Sequence, residues 1–436
     1  MLASYFFYGY WDWSFCLLLL FNAVVSYIGG LLLERSESES QRRWTLGIVV
    51  AIDLLLLGYF KYTGFFFESL QELFYSLGLE RELPILEIIL PVGISFFTFQ
   101  SISYIVDVKN RQIQACRSFV DLALYISFFP QLVAGPIVRA AHFIPQLDRR
   151  PVLTRRMMAK GLFLILIGLF KKMVLANYLA TLYVDEIFLA PEFASSLELV
   201  LAIYGYAGQI YCDFSGYSDI AIGVAALLGY HFKRNFNQPY RAVSLREFWQ
   251  RWHISLSQWL RDYLYIPLGG SRHGTILTYR NLFITMFLGG IWHGAAMTFV
   301  IWGVIHGLAL ILERVSGFGR WTGNGRLNRL VGILVTFHVV CLAWIFFRSP
   351  SLSLALDYLA AIGKGTSEIT LLTPFVAGLI LLCAVGQFVP SRSYERCQVA
   401  LSRTGLAGMT FFFTLGLLFI QWVSPSGTAP FIYFQF

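Results

Sequence analysis

Apolar residues fall along this chain in long blocks of at least near-spanning length, at about 14–33, 44–60, 85–106, 118–137, 161–182, 197–230, 282–312, 329–347, 371–390 and 407–424, with more polar stretches between them. A helix rises about 1.5 Å per residue, so roughly 20 apolar residues cover a hydrocarbon core of about 30 Å. Inside lipid the backbone must bond to itself, which leaves helices or a closed barrel, and the blocks lack the period-two alternation of barrel strands. The pattern predicts an all-α, polytopic integral membrane protein with about ten or eleven transmembrane helices.

Four stretches depart from plain lipid-facing helix. GFFFESLQELFYSLGLERELP (64–84) places apolar groups at helical spacing among polar ones, the pattern of a helix lying in the membrane interface. In LALYISFFPQLVAGPIVRAAHF (122–143), Pro130, Gly135 and Pro136 interrupt an apolar run; it predicts either a kinked helix or irregular backbone buried in protein. In AIYGYAGQIYCDFSGYSDIAIGVAALLG (202–229), Gln209, Asp213 and Asp219 sit inside a span. Carboxylates at that depth face an interior, either lining a substrate path or holding helices together, and two within six residues favour the lining. Lys171 and Lys172 are placed at a helix end, reaching to the headgroups, in preference to binding an anionic donor.

Composition agrees with the pattern. Of 436 residues 57% are hydrophobic and 13% charged, against about 25% charged in a soluble domain. The net charge of +8 concentrates in loops: Lys233 to Arg280 holds eight basic residues against Glu247 and Asp262. Such loops face the cytoplasm, and because the basic residues flank spans, nucleic acid is not the expected partner. The six cysteines form no C-x-x-C pair, so neither a metal site nor a disulfide framework is expected. The amino-terminal stretch has no basic region or small-residue cleavage site, and the first span is expected to be retained.

Two stretches carry candidate chemistry. In NQPYRAVSLREFWQRWHISLSQWLRDYLYIPLGGSRHG (237–274), apolar residues recur at three- and four-residue steps with arginines between them, which predicts a basic interfacial helix containing His253. The run FLGGIWHGAAMTFVIWGVIHG (287–307) holds His293 and, thirteen residues on, His306. A helix entering the membrane at about residue 281 puts His293 about 18 Å deep and His306 about 20 Å beyond it, near the far surface. The run exceeds one untilted span, so it tilts or breaks, with Gly289, Gly290 and Gly294 as the points of bending or close approach. A histidine at mid-membrane depth is a functional candidate, and a neutral imidazole is what a general base requires. The plainer alternative is an interfacial residue without a role for His253, and a ring hydrogen-bonded into a helix bundle for His293 and His306.

FWQRWHISLSQWLRDYLYIPLGG followed by GGIWHGAAMTFVIWGVIHG resembles the membrane-bound O-acyltransferase family, in its bacterial branch of alginate O-acetyltransferases and teichoic-acid D-alanyl transfer proteins. LPVGISFFTFQSISYIVDV (90–108), SFFPQLVAGPIVRAAHFIPQL (127–147), QIYCDFSGYSDIAIGVAALLGY (209–230) and the terminal PFIYFQF share the likeness, and the alginate-type proteins match best. The resemblance implies one membrane-embedded domain over 1–436, a catalytic core at about 90–312, and helices and re-entrant segments around a central funnel. It implies His293 as the catalytic histidine and His253 as the second polar residue, which orients the acceptor or donates to the oxyanion. Relatives precede the LASYFFYG block with a further apolar segment, so a misassigned start or a natural short form is expected.

The implied donor is acetyl-CoA or another acyl thioester from the cytoplasm, with no tightly bound cofactor. The implied acceptor is an extracellular or periplasmic polysaccharide, or an SGNH-type acetyltransferase partner, and the implied place is the bacterial inner membrane. Arg246 and Arg251 are candidates to attract the donor, with Trp292, Gln209, Asp213 and Asp219 as further substrate-side candidates. D-alanyl transfer to teichoic acid, a transporter or flippase with His293, Asp213 and Asp219 as a proton relay, and a non-catalytic scaffold are the competing functions.

Overall fold

The computed structural model describes residues 1–79, 83, 88–133, 135–323, 325–364, 368–427 and 431. Of the terminal PFIYFQF block only Phe431 is among them, and part of the apolar run at 85–106 also lies outside the described residues. These residues form helices and loops with no strand, in two compact units, Met1–Pro151 and Val152–Phe436.

The first unit contains α1 (Leu2–Gly9), α2 (Ser14–Arg35), α3 (Glu39–Ser76), α4 (Ile94–Lys109), α5 (Phe119–Ser127) and α6 (Ala140–Leu147). Helix α3 joins two segments that the pattern separates. The span at 44–60 and the expected interfacial helix from residue 64 are one helix of 38 residues, because isolated glycines such as Gly47, Gly58 and Gly64 are tolerated in a helix that holds no proline. Asp53, midway along α3, is buried and accepts from Asn22 Nδ2 of α2 at 2.7 Å and Ser101 Oγ of α4 at 2.6 Å. The run at 122–143 is broken, not kinked: α5 stops at Ser127, one turn spans Phe129–Leu132 with Pro130 in it, and α6 starts at Ala140. Tyr125 Oη donates to the Val138 carbonyl at 3.0 Å and Gln131 Nε2 to that of Tyr125 at 3.0 Å. Freed carbonyls inside a buried loop find partners in this way.

The second unit starts with α7 (Arg155–Leu189), which carries π-helical turns at Phe170–Ala176 and Ala180–Val184, followed by α8 (Ser196–Leu227). Ser195 and Glu198 form a capping box at the start of α8, and Glu198 Oε1 also accepts from the backbone N–H groups of Thr370, Leu371 and Leu372. Then come α9 (Leu245–Arg251), α10 (Ile254–Leu260), α11 (Thr275–His293), α12 (Met297–Ser316), α13 (Arg326–Arg348), α14 (Leu352–Ile362), α15 (Pro374–Gly386), α16 (Ser391–Arg403) and α17 (Gly405–Val423).

Among the described residues six helices are long and apolar enough to cross a bilayer, seven if α15 and α16, bent by 90°, count as one. Hydropathy alone suggested more. Helix α4 is too short and α5 ends early, while α8 and α11 have the length but carry too many polar side chains. All of them remain part of a multi-pass membrane protein.

Candidate active site

The run at 282–312 folds back on itself. Helix α11 ends at His293, the chain bends with Gly294 and Ala296 extended, and α12 returns antiparallel along α11. Small residues allow this close approach: a Cβ on Gly290 would overlap the Phe299 carbonyl oxygen, and one on Gly303 would lie 2.6 Å from that of Met286. His306 is therefore carried back toward the end where α11 began. The expected position near the far surface is corrected, because an extended count of helical rise assumed one continuous helix.

His293 sits at the tip of this hairpin, 5% exposed. Its ring is bordered by Trp292 at 5.0 Å, Trp302 at 4.9 Å and Phe347 at 5.1 Å between centroids. His306 is fully buried on the other side of Trp302, with ring centroids 4.7 Å apart, and touches Trp249 at 5.1 Å. Neither His306 nitrogen has a hydrogen-bond partner among the described residues.

His253 lies where the expected single interfacial helix breaks into α9 and α10. Its backbone is left-handed, with φ +39°, a conformation uncommon for a residue with a Cβ and frequent at functional sites. Asn235 holds it there. The Asn235 carbonyl accepts from Ile254 N–H at 2.8 Å, its Oδ1 from Ser255 N–H at 3.1 Å, and its Nδ2 donates to Ser218 Oγ of α8 at 3.1 Å. The imidazole is buried edge-on to Phe214 at 4.6 Å, with Ser255 Oγ 3.4 Å from Nδ1. His253 lies outside the membrane-crossing helices, and burial pushes its pKa down to about 3, so the ring is neutral. Ring contacts lead from His253 through Phe236, Trp252, Trp344 and Phe347 to His293, each at 6.3 Å or less.

At the open end of the hairpin lies a cavity of about 1120 Å³. Arg246, Arg261, Arg314 and Arg320 line it with Glu313, and Trp249 forms part of its wall. The Glu313 carboxylate is engaged by the backbone N–H groups of Leu245 at 2.5 Å and Arg246 at 3.3 Å, capping α9. The cavity is consequently basic. Arg251 is not among its lining residues: the guanidinium binds Glu247 at 2.9 and 2.6 Å and the Asn237 carbonyl at 3.1 Å.

The polar residues of α8 take two roles. Asp213 pairs with Lys172 at 2.6 Å and Asp219 with Lys171 at 2.7 Å, so the two lysines face α8 and not the headgroups. Both pairs sit on the π-helical turn of α7, which adds a residue to the turn and brings consecutive lysines round to one neighbour. The expected lining is therefore in large part a charged seam between two helices. Gln209 is buried one turn before Asp213.

The family model for membrane-bound O-acyltransferases matches residues 107–349. The chain belongs to that family. A probable alginate O-acetylase of Pseudomonas aeruginosa is 43% identical over 358 residues, covering 81% of this chain and 67% of the relative. A peptidoglycan O-acetyltransferase of Helicobacter pylori is 37% identical over 385 residues, covering 82% and 72%. A teichoic acid D-alanyltransferase of Bacillus subtilis is more distant, 27% identical over 273 residues, covering 59% and 68%. The chain is thus a multi-pass O-acyltransferase, and the match spans His253, His293 and the basic cavity.

Sequence reasoning passed over Trp302, Trp249, Asn235 and Glu313. Trp302 stands among apolar neighbours, where an indole reads as packing, Trp249 sits in the amphipathic stretch beside Phe248, where it reads as interfacial, and Asn235 lies just before that stretch. The spacing of Glu247 and Arg251, one helical turn apart, was the visible sign that this arginine had a partner.

Proposed function

We propose that the chain takes an acetyl group from a cytoplasmic thioester, acetyl-CoA, and transfers it to a hydroxyl presented from the other side of the bacterial inner membrane, for O-acetylation of a polysaccharide. The hydroxyl belongs to the polymer or to an SGNH-type acetyltransferase that then modifies it. One observation carries this reading: a single hairpin has a buried histidine at its tip and a basic cavity between its ends. Arg246, Arg314 and Arg320, beside an Arg261 paired with Asp262 and a Glu313 held by backbone N–H groups, suit the phosphates of a CoA thioester, which that field attracts. The names of the relatives matched over four-fifths of the chain, acetyl transferases of alginate and peptidoglycan, favour acetyl over D-alanyl.

In this mechanism His293 takes the proton of the acceptor hydroxyl as its oxygen attacks the thioester carbonyl carbon. The carbon–sulfur bond then breaks, and the thiolate receives that proton. His253, neutral and fixed by Asn235, orients the acceptor. The aromatic walls around His293 exclude water, which would otherwise compete as nucleophile. The lysine partners of Asp213 and Asp219 weigh against a carboxylate relay for a transported ion.

Membranes containing the chain, given radiolabelled acetyl-CoA, test the reading. Label is expected in the surface polymer, and its transfer is expected to collapse with His293→Ala. Solute movement without acyl transfer would indicate a transporter instead, and label passing only from a D-alanyl thioester would move the donor to that class.

A further inference from the structure

Acyl transfer needs more than a base. When the acceptor oxygen adds to the carbonyl, the π electrons move onto the carbonyl oxygen, and that charge must meet N–H donors in a water-poor site. The cage around His293 holds such donors without assigned acceptors. Trp302 is 1% exposed, Trp249 is 9% exposed and His306 is fully buried. Trp302 Nε1, Trp249 Nε1 and both His306 nitrogens have no hydrogen-bond partner among the described residues. The three rings touch one another, with centroids 4.7, 5.1 and 5.7 Å apart, and Trp302 also touches His293 at 4.9 Å.

Buried polar groups are nearly always bonded, and three without partners in one cluster call for a ligand. They stand between the base and the cavity, since Trp249 is part of the cavity wall. An acyl thioester entering from the cavity would reach His293 past these groups. A neutral imidazole and two indoles bring N–H donors and no fixed charge, which suits an oxygen that is neutral before attack and anionic after it.

We propose that Trp302 and His306, with Trp249 at the cavity side, bind the carbonyl oxygen of the acyl thioester and stabilise the oxyanion of the tetrahedral intermediate. This rests on the acyl-transfer reading above. The acceptor oxygen–carbon bond forms and the N–H groups hold the resulting oxyanion. The carbonyl then re-forms, the carbon–sulfur bond breaks and the thiolate takes the proton from the His293 imidazolium. His253 is thereby left to the acceptor alone.

The test uses the full chain in membranes with radiolabelled acetyl-CoA, reading turnover per chain and KM, with thermal stability measured on each variant. Trp302→Phe keeps the ring contacts and removes the N–H. Turnover is expected to fall roughly 100- to 1000-fold with little change in KM. His306→Ala should fall comparably, and His306→Asn or His306→Gln, which restore an N–H, should recover part of it. Should Trp302→Phe not fold, Trp249→Phe makes the same deletion at the cavity wall, with a smaller fall expected. Normal turnover in Trp302→Phe and His306→Ala, a change confined to KM, or no recovery with either amide overturns the proposal while the acyl-transfer reading stands. If the unaltered chain transfers no label from acetyl-CoA, both fail.

Discussion

Two regions of the second unit place polar side chains in apolar surroundings, and they do so in opposite ways. Between α7 and α8 each carboxylate has its own ammonium, Lys172 on Asp213 and Lys171 on Asp219, at 2.6 and 2.7 Å. Along the α11–α12 hairpin imidazoles and indoles pack ring against ring, and the Trp302 and His306 nitrogens have no hydrogen-bond partner among the described residues. The seam satisfies its charges internally and so holds two helices in register. The cage leaves hydrogen-bonding capacity unspent, which is what a site that must receive a substrate requires. Polar content inside a span therefore has to be read together with its satisfaction before it is taken as chemistry.

The largest effect that this contrast predicts is on the cage side. His293→Ala should lower acyl transfer by roughly 100- to 10,000-fold, the usual contribution of a general base, with the amount of protein in the membrane unchanged; transfer assays on membranes matched by immunoblot check it. On the seam side the effect should be on folding. Lys172→Met leaves Asp213 buried without this cation, which costs about 3–5 kcal/mol, and the melting temperature in detergent should drop. Lys172→Met combined with Asp213→Leu should recover most of that stability, and activity should follow it. A double variant that is stable yet inactive would break the comparison by giving the seam a part in the reaction.

His253 tests the border between the two classes. His253→Asn should retain part of the activity and His253→Ala lose most of it, if an amide can orient the acceptor as the imidazole does. The pH response has a fixed sign. Burial lowers this imidazole from 6.5 to about 3, so its contribution to stability is complete above about pH 6.5 and is lost as pH falls toward 3. Acid denaturation of His253→Asn should accordingly be shallower than that of the parent across this window. The smallest effect is expected at the cavity rim: Arg246→Gln should raise KM for acetyl-CoA a few-fold, whereas Arg251→Gln, whose parent side chain is bound to Glu247, should leave donor KM unchanged.

Much of the helix content was legible, because lipid and helix geometry leave few choices for a 20-residue apolar run. The hairpin was legible only in its break, which falls at the expected Gly294 with Gly290 at the close approach, and not in the return of its second limb. Hydropathy reports that residues 282–312 are apolar but carries no sign of direction, and the fold-back depends on Gly290 and Gly303 meeting across the two limbs. The candidate histidines were visible as ionisable groups in apolar stretches, while their surroundings were not, since a tryptophan among leucines looks the same whether it packs or donates. Lys171 and Lys172 were assigned to the headgroups because long cationic side chains at a helix end snorkel there; the π-helical turn that carries both against α8 is a local geometry without a sequence mark. The break at His253 likewise comes from Asn235, which bonds it from the loop before the amphipathic stretch.

The fold-back at Gly294 also sets the parity of the chain's path. Because α11 and α12 leave and return together, the segment from Thr275 to Ser316 makes no net passage. Exposed Arg272 and Arg320 then open on the same side of this hairpin, and counting residues 282–312 as one crossing would by itself invert the sense given to the helices that follow.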